Sequence, residues 1–182
     1  MDILGKDHSG RNRCMGDNLI SDELRNLLEK KEFVYIATCQ DDHPNVAPKF
    51  LIKVDKDSLF LADFLNGRTC ANLKKNSNVA VSILNIDTLI GYQFIGKAHE
   101  LRDGEEYAPL IKRLQDREMK FCVERIVAGV SRNNKSENFE VSFPEHFAIF
   151  RVDVEEVVII GPEAKLVRKH REPDAHPKAA PV

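Results

Sequence analysis

"FVYIATCQDDHPNVAPKFLIKVDKDSLFLADF", residues 33–64, decides the fold. Its β-branched and aromatic runs, 33–39, 43–54 and 58–63, are separated only by QDD and DKD. Such runs suit a pleated, half-buried surface, and polar pieces this short leave room for hairpin turns and nothing larger. The stretch therefore predicts three consecutive antiparallel strands.

Working outward, "NVAVSILNI" (78–86) and "GYQFIGKAHEL" (91–101) predict two more strands. "HFAIFRVDVEEVVII" (146–160) alternates well enough for a sixth strand, or a bent pair around Asp153, stopped by Gly161 and Pro162. A closed or nearly closed sheet would cover the edges of these strands. Upstream, "SDELRNLLEKK" (21–31) predicts a helix, with Ser21 as N-cap, acids in the first turn and Leu24, Leu27 and Leu28 on one face. Asp103 and Glu106 fit a capping box opening a helix that carries Tyr107, Leu110, Ile111 and Leu114 on one face, expected to close one end of a barrel. Residues 116–131 suit a second helix, and 132–146 a polar loop with a short extended piece.

With 182 residues the chain is expected to form one domain around a single core. Residues 1–20 read as an N-terminal extension, 21–164 as the domain, and 165–182, rich in Pro, Ala, His and basic residues, as a mobile tail. A net charge of -2 gives no general attraction to nucleic acid, so any anion site must be local. Met1–Ile20 has no sustained apolar stretch and reads as neither signal peptide nor membrane anchor, so a cytoplasmic location is expected. Cys14, Cys39, Cys70 and Cys122 form no C-x-x-C pair, which points to reduced, mostly buried thiols.

One local anion site suggests itself. "NGRTCANLKK" (66–75) predicts a short basic helix with Gly67 at the turn, Arg68 and Thr69 at its mouth and Asn72 one turn on. A helix start offers unpaired N–H groups and partial positive charge, to which Arg68 could add a forked pair of hydrogen bonds and Thr69 a hydroxyl. The same residues also fit a plain turn and cap with Arg68 in water. Neither the P-loop nor the dinucleotide glycine pattern occurs. Cys39 with His43 fits a strand thiol and a turn imidazole better than a nucleophile pair. His146, His170 and His176 match no ordinary metal-ligand spacing. The basic run 165–171 reads as solvated tail, and His99 faces either a groove or water.

Taken in order, "FVYIATCQDDHPNVAPKFLIKV", "LFLADFLNGRTCANLKKNSNVAVSIL" and "GYQFIGKAHEL" resemble the FMN-binding split-barrel proteins related to pyridoxamine 5'-phosphate oxidase. The likeness spans roughly residues 20–103, through Ala37-Thr38, Pro44-Asn45, Arg68-Thr69 with Asn72-Leu73, and Gly96-Lys97-Ala98. It implies a mainly β (α+β) fold: a six-stranded antiparallel split β-barrel with short flanking helices, forming a homodimer with FMN in grooves at the interface. By this resemblance Arg68, Thr69 and Asn72 hold the phosphate. Ala47, Pro48 and Lys49 line the ring's groove, with Lys49 supplying charge beside the reduced ring unless it is simply an exposed strand lysine. Ala62, Asp63 and Phe64 contact the ribityl chain or ring, although Phe64 also fits plain core. Gln93 reaches the flavin across the interface or else faces solvent.

The function implied is a flavin-dependent oxidoreductase or electron carrier for a small molecule; the alternative is a non-catalytic protein binding FMN, haem or a deazaflavin. A haem would need an axial histidine such as His99 or His146. The chain departs from true pyridoxamine 5'-phosphate oxidase, lacking an Arg-x-x-Leu-Leu-Lys segment and any Trp. Vitamin B6 oxidation is therefore not expected.

Overall fold

The computed structural model describes residues 18–64, 67–131, 147–162 and 166–170. The quoted stretch folds as β1 (Phe33–Gln40), β2 (His43–Asp55) and β3 (Ser58–Asp63), followed by helix α2 (Arg68–Leu73), β4 (Asn78–Asn85) and β5 (Ile90–Leu101). Helix α1 (Asp22–Glu29) precedes them; α3 (Tyr107–Ser131), β6 (Ala148–Ile160) and β7 (Leu166–His170) complete the described elements. The strands run β3-β2-β1-β4-β5-β6, all antiparallel, and β3 pairs with β6 to close a six-stranded barrel. Asp41 and Asp42 make the first turn with φ of 48° and 61°, the left-handed pair that a tight two-residue hairpin requires.

Period-two alternation sorts the side chains. Val34, Ile36, Leu51, Leu59, Leu61, Val79, Val81, Phe94 and Val152 fill the barrel, joined by Leu24 and Leu28 of α1 behind the Ser21 cap. The opposite face of β2, β3 and β6 carries Phe50, Ile52, Phe60, Ala62 and Ile149, covered by Leu110, Leu114 and Phe121 of α3. Helix α1 thus completes the interior core, while α3 lies over the outer face instead of closing the barrel's end. Helix α3 is also one continuous element where two were expected. It starts at Tyr107: the Leu110 N–H already donates to the Glu106 carbonyl, leaving Asp103 too far upstream to cap it. Arg113 and Arg117 fasten α3 by donating to the carbonyls of Ile52 and Leu51 beside the β2 bulge, and both also bind Glu29.

Strand β6 is a single strand rather than a bent pair. The bend is absorbed as a bulge at Glu155, since Ile95 faces Glu156 while Gly96 faces Val154. Gly96 permits this: a Cβ there would lie 2.0 Å from the Asp153 carbonyl oxygen. Leu166–His170, inside the expected tail, pairs with Glu156–Ile160 as a seventh strand. β6 gives one edge to β3 along its first half and to β7 along its second. The loop read at 132–146, Cys14 and residues 171–182 lie outside the described residues.

Strand β2 is open along half of one edge. It pairs with β1 from His43 to Phe50, and with β3 only from Phe50 onward. The Leu51 N–H donates to the Glu32 carbonyl. By antiparallel alternation the amides of 49, 47 and 45 therefore also face β1, and positions 48, 46 and 44 face the open side. Pro48 and Pro44 occupy two of those three positions and donate nothing, which blunts the edge against strand addition.

Replacing Gly96 with Ala should cost about 1–3 kcal/mol in chemical denaturation, because backbone must move to admit the methyl. Glu118 on α3 has a buried carboxylate oxygen with no hydrogen-bond partner among the described residues, and burial raises its pKa above the usual 4.5. A raised folded pKa means that the native state holds more protons than the unfolded one, so stability falls as pH climbs from 4.5 through the folded value. Glu118→Gln should remove that decline and raise the melting temperature at pH 7.

Candidate functional site

A six-residue helix cannot hold itself together, so α2 must be pinned by what it touches. Its inner side carries Thr69, Cys70 and Asn72, all buried, while Gly67 and Arg68 at its start are exposed. Asn72 Nδ2 donates to Thr38 Oγ1 of β1 at 3.0 Å, and Asn45 Nδ2 of β2 donates to Thr69 Oγ1 at 3.2 Å and to Thr38 Oγ1 at 3.4 Å. Just after the helix, Asn76 Nδ2 donates to the Cys39 carbonyl. Amides and hydroxyls out of water must find partners, and here they find one another across three elements.

A second tether is ionic. Lys49 Nζ lies 2.8 Å from Asp63 Oδ1, with side chains only 7% and 1% exposed. The Cys70 thiol donates to the other oxygen, Oδ2, at 3.3 Å. Burial, and then the neighbouring Asp63 charge, push the Cys70 pKa up to about 11, so this sulfur stays protonated at neutral pH. Lys49, Asp63 and Cys70 thus close one end of the barrel interior, sharing the inward face with Leu51 and Leu61.

The expected site residues divide accordingly. Lys49, Asp63, Thr69 and Asn72 meet at the α2 contact, and Arg68 stands at its exposed mouth without a hydrogen bond or ion pair among the described residues. Ala47 shares the inward face of Lys49, whereas Pro48 points outward opposite Tyr35. Ala62 is buried in the outer core, against which the half-buried Phe64 packs, its ring 6.0 Å from that of Phe50. Gln93 stands apart. It lies in one row with Pro48, Tyr35 and Ser82 but three strands from β2, about 14 Å at ordinary strand spacing.

Thr38 and Asn45, which carried the likeness without a site role, and Cys70 are the further partners. Counting back from the Asp41-Asp42 turn sets Thr38 opposite Asn45, so that pair was recoverable from the sequence; the reach of Cys70 to Asp63 was not. Two cavities, about 250 and 620 Å³, lie by the β2–β3 hairpin and the start of α3, and no candidate residue lines either. The candidate site lies along β2 and α2, apart from both cavities. Among the described residues no cluster of His, Cys, Asp and Glu could hold a metal ion, and no helix is long and apolar enough to cross a membrane. His146 and His176 lie outside the described residues.

Lys49→Met should cost about 3–5 kcal/mol, since it strands a buried carboxylate, and Lys49→Met with Asp63→Leu should recover most of that loss. Urea melts of the three proteins check this.

Among solved structures, HupZ of Group A Streptococcus is similar over 80% of this chain and 97% of its own, at 20% identity and TM-score 0.58. A Clostridium acetobutylicum protein related to general stress protein 26, of the pyridoxinephosphate oxidase family, is similar over 81% and 92% at 14% identity and TM-score 0.54. A heme binding protein of Mycobacterium smegmatis is similar over 80% of this chain and 55% of its own, at 13% identity and TM-score 0.56. At such identities these likenesses establish the fold. Comparison with curated proteins gives no significant match. The family model described as pyridoxamine 5'-phosphate oxidase matches residues 20–160, most of the chain and the whole of the closed barrel. By that match and this barrel, the chain belongs to the pyridoxamine 5'-phosphate oxidase family.

Proposed function

We propose that this protein binds FMN along the open half of β2 and serves as a flavin-dependent oxidoreductase or electron carrier for a small molecule. The observation that carries this reading is Arg68: an exposed guanidinium with no partner among the described residues, at the mouth of a helix whose other polar groups are committed inward. A phosphate dianion suits that forked donor, with main-chain N–H groups at the helix start beside it. The residues present fit the cofactor. Thr69 and Asn72 take a supporting part, since their polar atoms hold α2 against β1 and β2 and so fix where Arg68 stands.

Bound FMN would supply hydride and electron chemistry that amino-acid side chains lack. The chain's own task is to hold the phosphate, seat the ring and fix the charges around it. Seating a flat ring requires two walls, and we assign the second to another copy of the chain. Phe33, Tyr35, Val46 and Leu84 are 45–67% exposed on the outer face of β1, β2 and β4, an apolar surface that a homodimer would cover. Gln93 belongs to the same face, which gives it a route to the flavin of the other copy.

The other reading, a non-catalytic binder of haem, FMN or a deazaflavin, draws on the Mycobacterium smegmatis neighbour and on His99, a largely exposed imidazole 3.8 Å from Asp153. His99 faces Arg151 of β6 and lies beside the Asp153 carboxylate, whereas Arg68 has no partner among the described residues, so FMN is preferred.

The purified protein should show flavin absorption bands, alone or after FMN is added, and should leave the Soret band of added haemin unshifted. Arg68→Ala should weaken FMN about 10- to 100-fold, the worth of one charged hydrogen-bond pair. Riboflavin, which lacks the phosphate, should bind wild type and variant alike in fluorescence titrations. Equal FMN affinity in the two proteins would remove Arg68 from the site.

A further inference from the structure

The sequence expectation gave Lys49 a free positive charge for the reduced ring, but the structure gives it a counter-ion. The carboxylate of Asp63, 1% exposed, lies 2.8 Å from the ammonium, and the Cys70 thiol fills its second oxygen. Of the two cations assigned to the site, Lys49 is then already neutralised, and Arg68 stands at the mouth of α2. Resting on the FMN reading, we propose that Asp63 is a positioning residue that holds Lys49 and cancels its field, keeping the flavin's midpoint potential low.

The physics is a matter of charge count. FMN taking up two electrons and one proton gains one negative charge, and an uncompensated cation nearby makes that gain easier. A tight ion pair presents almost no net charge, so the reduced ring meets a near-neutral wall. At this end of the barrel water screens little, and the balance is felt more strongly than at the surface. The pair also restricts its own members: Lys49 has three donors and a long stem, and a 2.8 Å contact with a side chain fixed between β3 and α2 holds the ammonium in one place. Cys70, protonated at neutral pH, contributes a hydrogen bond and no charge.

Potentiometric titration of FMN-loaded protein with dithionite at pH 6 tests the proposal. Asp63→Asn should raise the midpoint potential and Lys49→Met should lower it. The double variant Lys49→Met with Asp63→Asn, again neutral, should return close to wild type. Cys70→Ala should shift the potential less than either charge variant. If Asp63→Asn folds poorly, Asp63→Asn with Lys49→Arg carries the same uncancelled charge and should show the same rise. Opposite signs and a restored double variant are what a merely structural pair would not give. If the variants bind FMN as wild type does and their potentials coincide or shift in one direction, the charge role is wrong and the FMN reading stands. If wild type binds no FMN, both fall.

Discussion

Where strands β2 and β3 part company, a lysine and an aspartate meet out of water at 2.8 Å, and the candidate site is arranged around that contact. Up to Phe50 the sheet pays no attention to β3, and from Phe50 onward the two strands are zipped together. Lys49 is the last residue of the open half and Asp63 the last of β3, so the ion pair joins the strands at the point where their ladder begins. A buried charge without its partner is far more costly than a broken surface pair, which makes this junction hard to move. Helix α2 then docks on it through Cys70, and on β1 through Asn72.

That docking explains how so short a helix can serve as an anchor. Thr38, Asn45, Thr69 and Asn72 link β1, β2 and α2 through buried hydrogen bonds, leaving the helix start pointed outward with Arg68 and Gly67 in water. The open edge beside it is kept from pairing with other strands by Pro44 and Pro48. Firm placement beneath and accessibility above are what a phosphate-tethered ligand needs. Helix α3 sits on the outer face, where Phe50, Phe60 and Phe121 form the outer core.

Much of this was legible in the residues. QDD and DKD are too short for anything but hairpins, so the first three strands and even the Thr38–Asn45 pairing follow from the turn. Gly96 entered only as part of the family likeness, and the carbonyl that demands a glycine there is seen in the structure. What stayed hidden depended on contacts between distant segments. A lysine on a half-exposed strand looks solvated until the aspartate that buries it is known. Leu166–His170 looks like tail because all five residues are exposed, and it becomes a strand only where β6 has an edge left to offer. The long α3 read as two helices because its inward face changes from aliphatic to Phe and Arg along its length. Its position over the outer face follows from Arg113 and Arg117 reaching β2 carbonyls, which no periodicity reveals.

The most direct test is a crystal structure of the protein soaked with FMN. The account predicts two copies facing one another across the β1–β2–β4 surface, the phosphate against Arg68 and Gly67, and the Lys49–Asp63 pair intact beneath. A phosphate bound elsewhere, or an α2 start that stays in bulk water while the flavin occupies another part of the barrel, would contradict it.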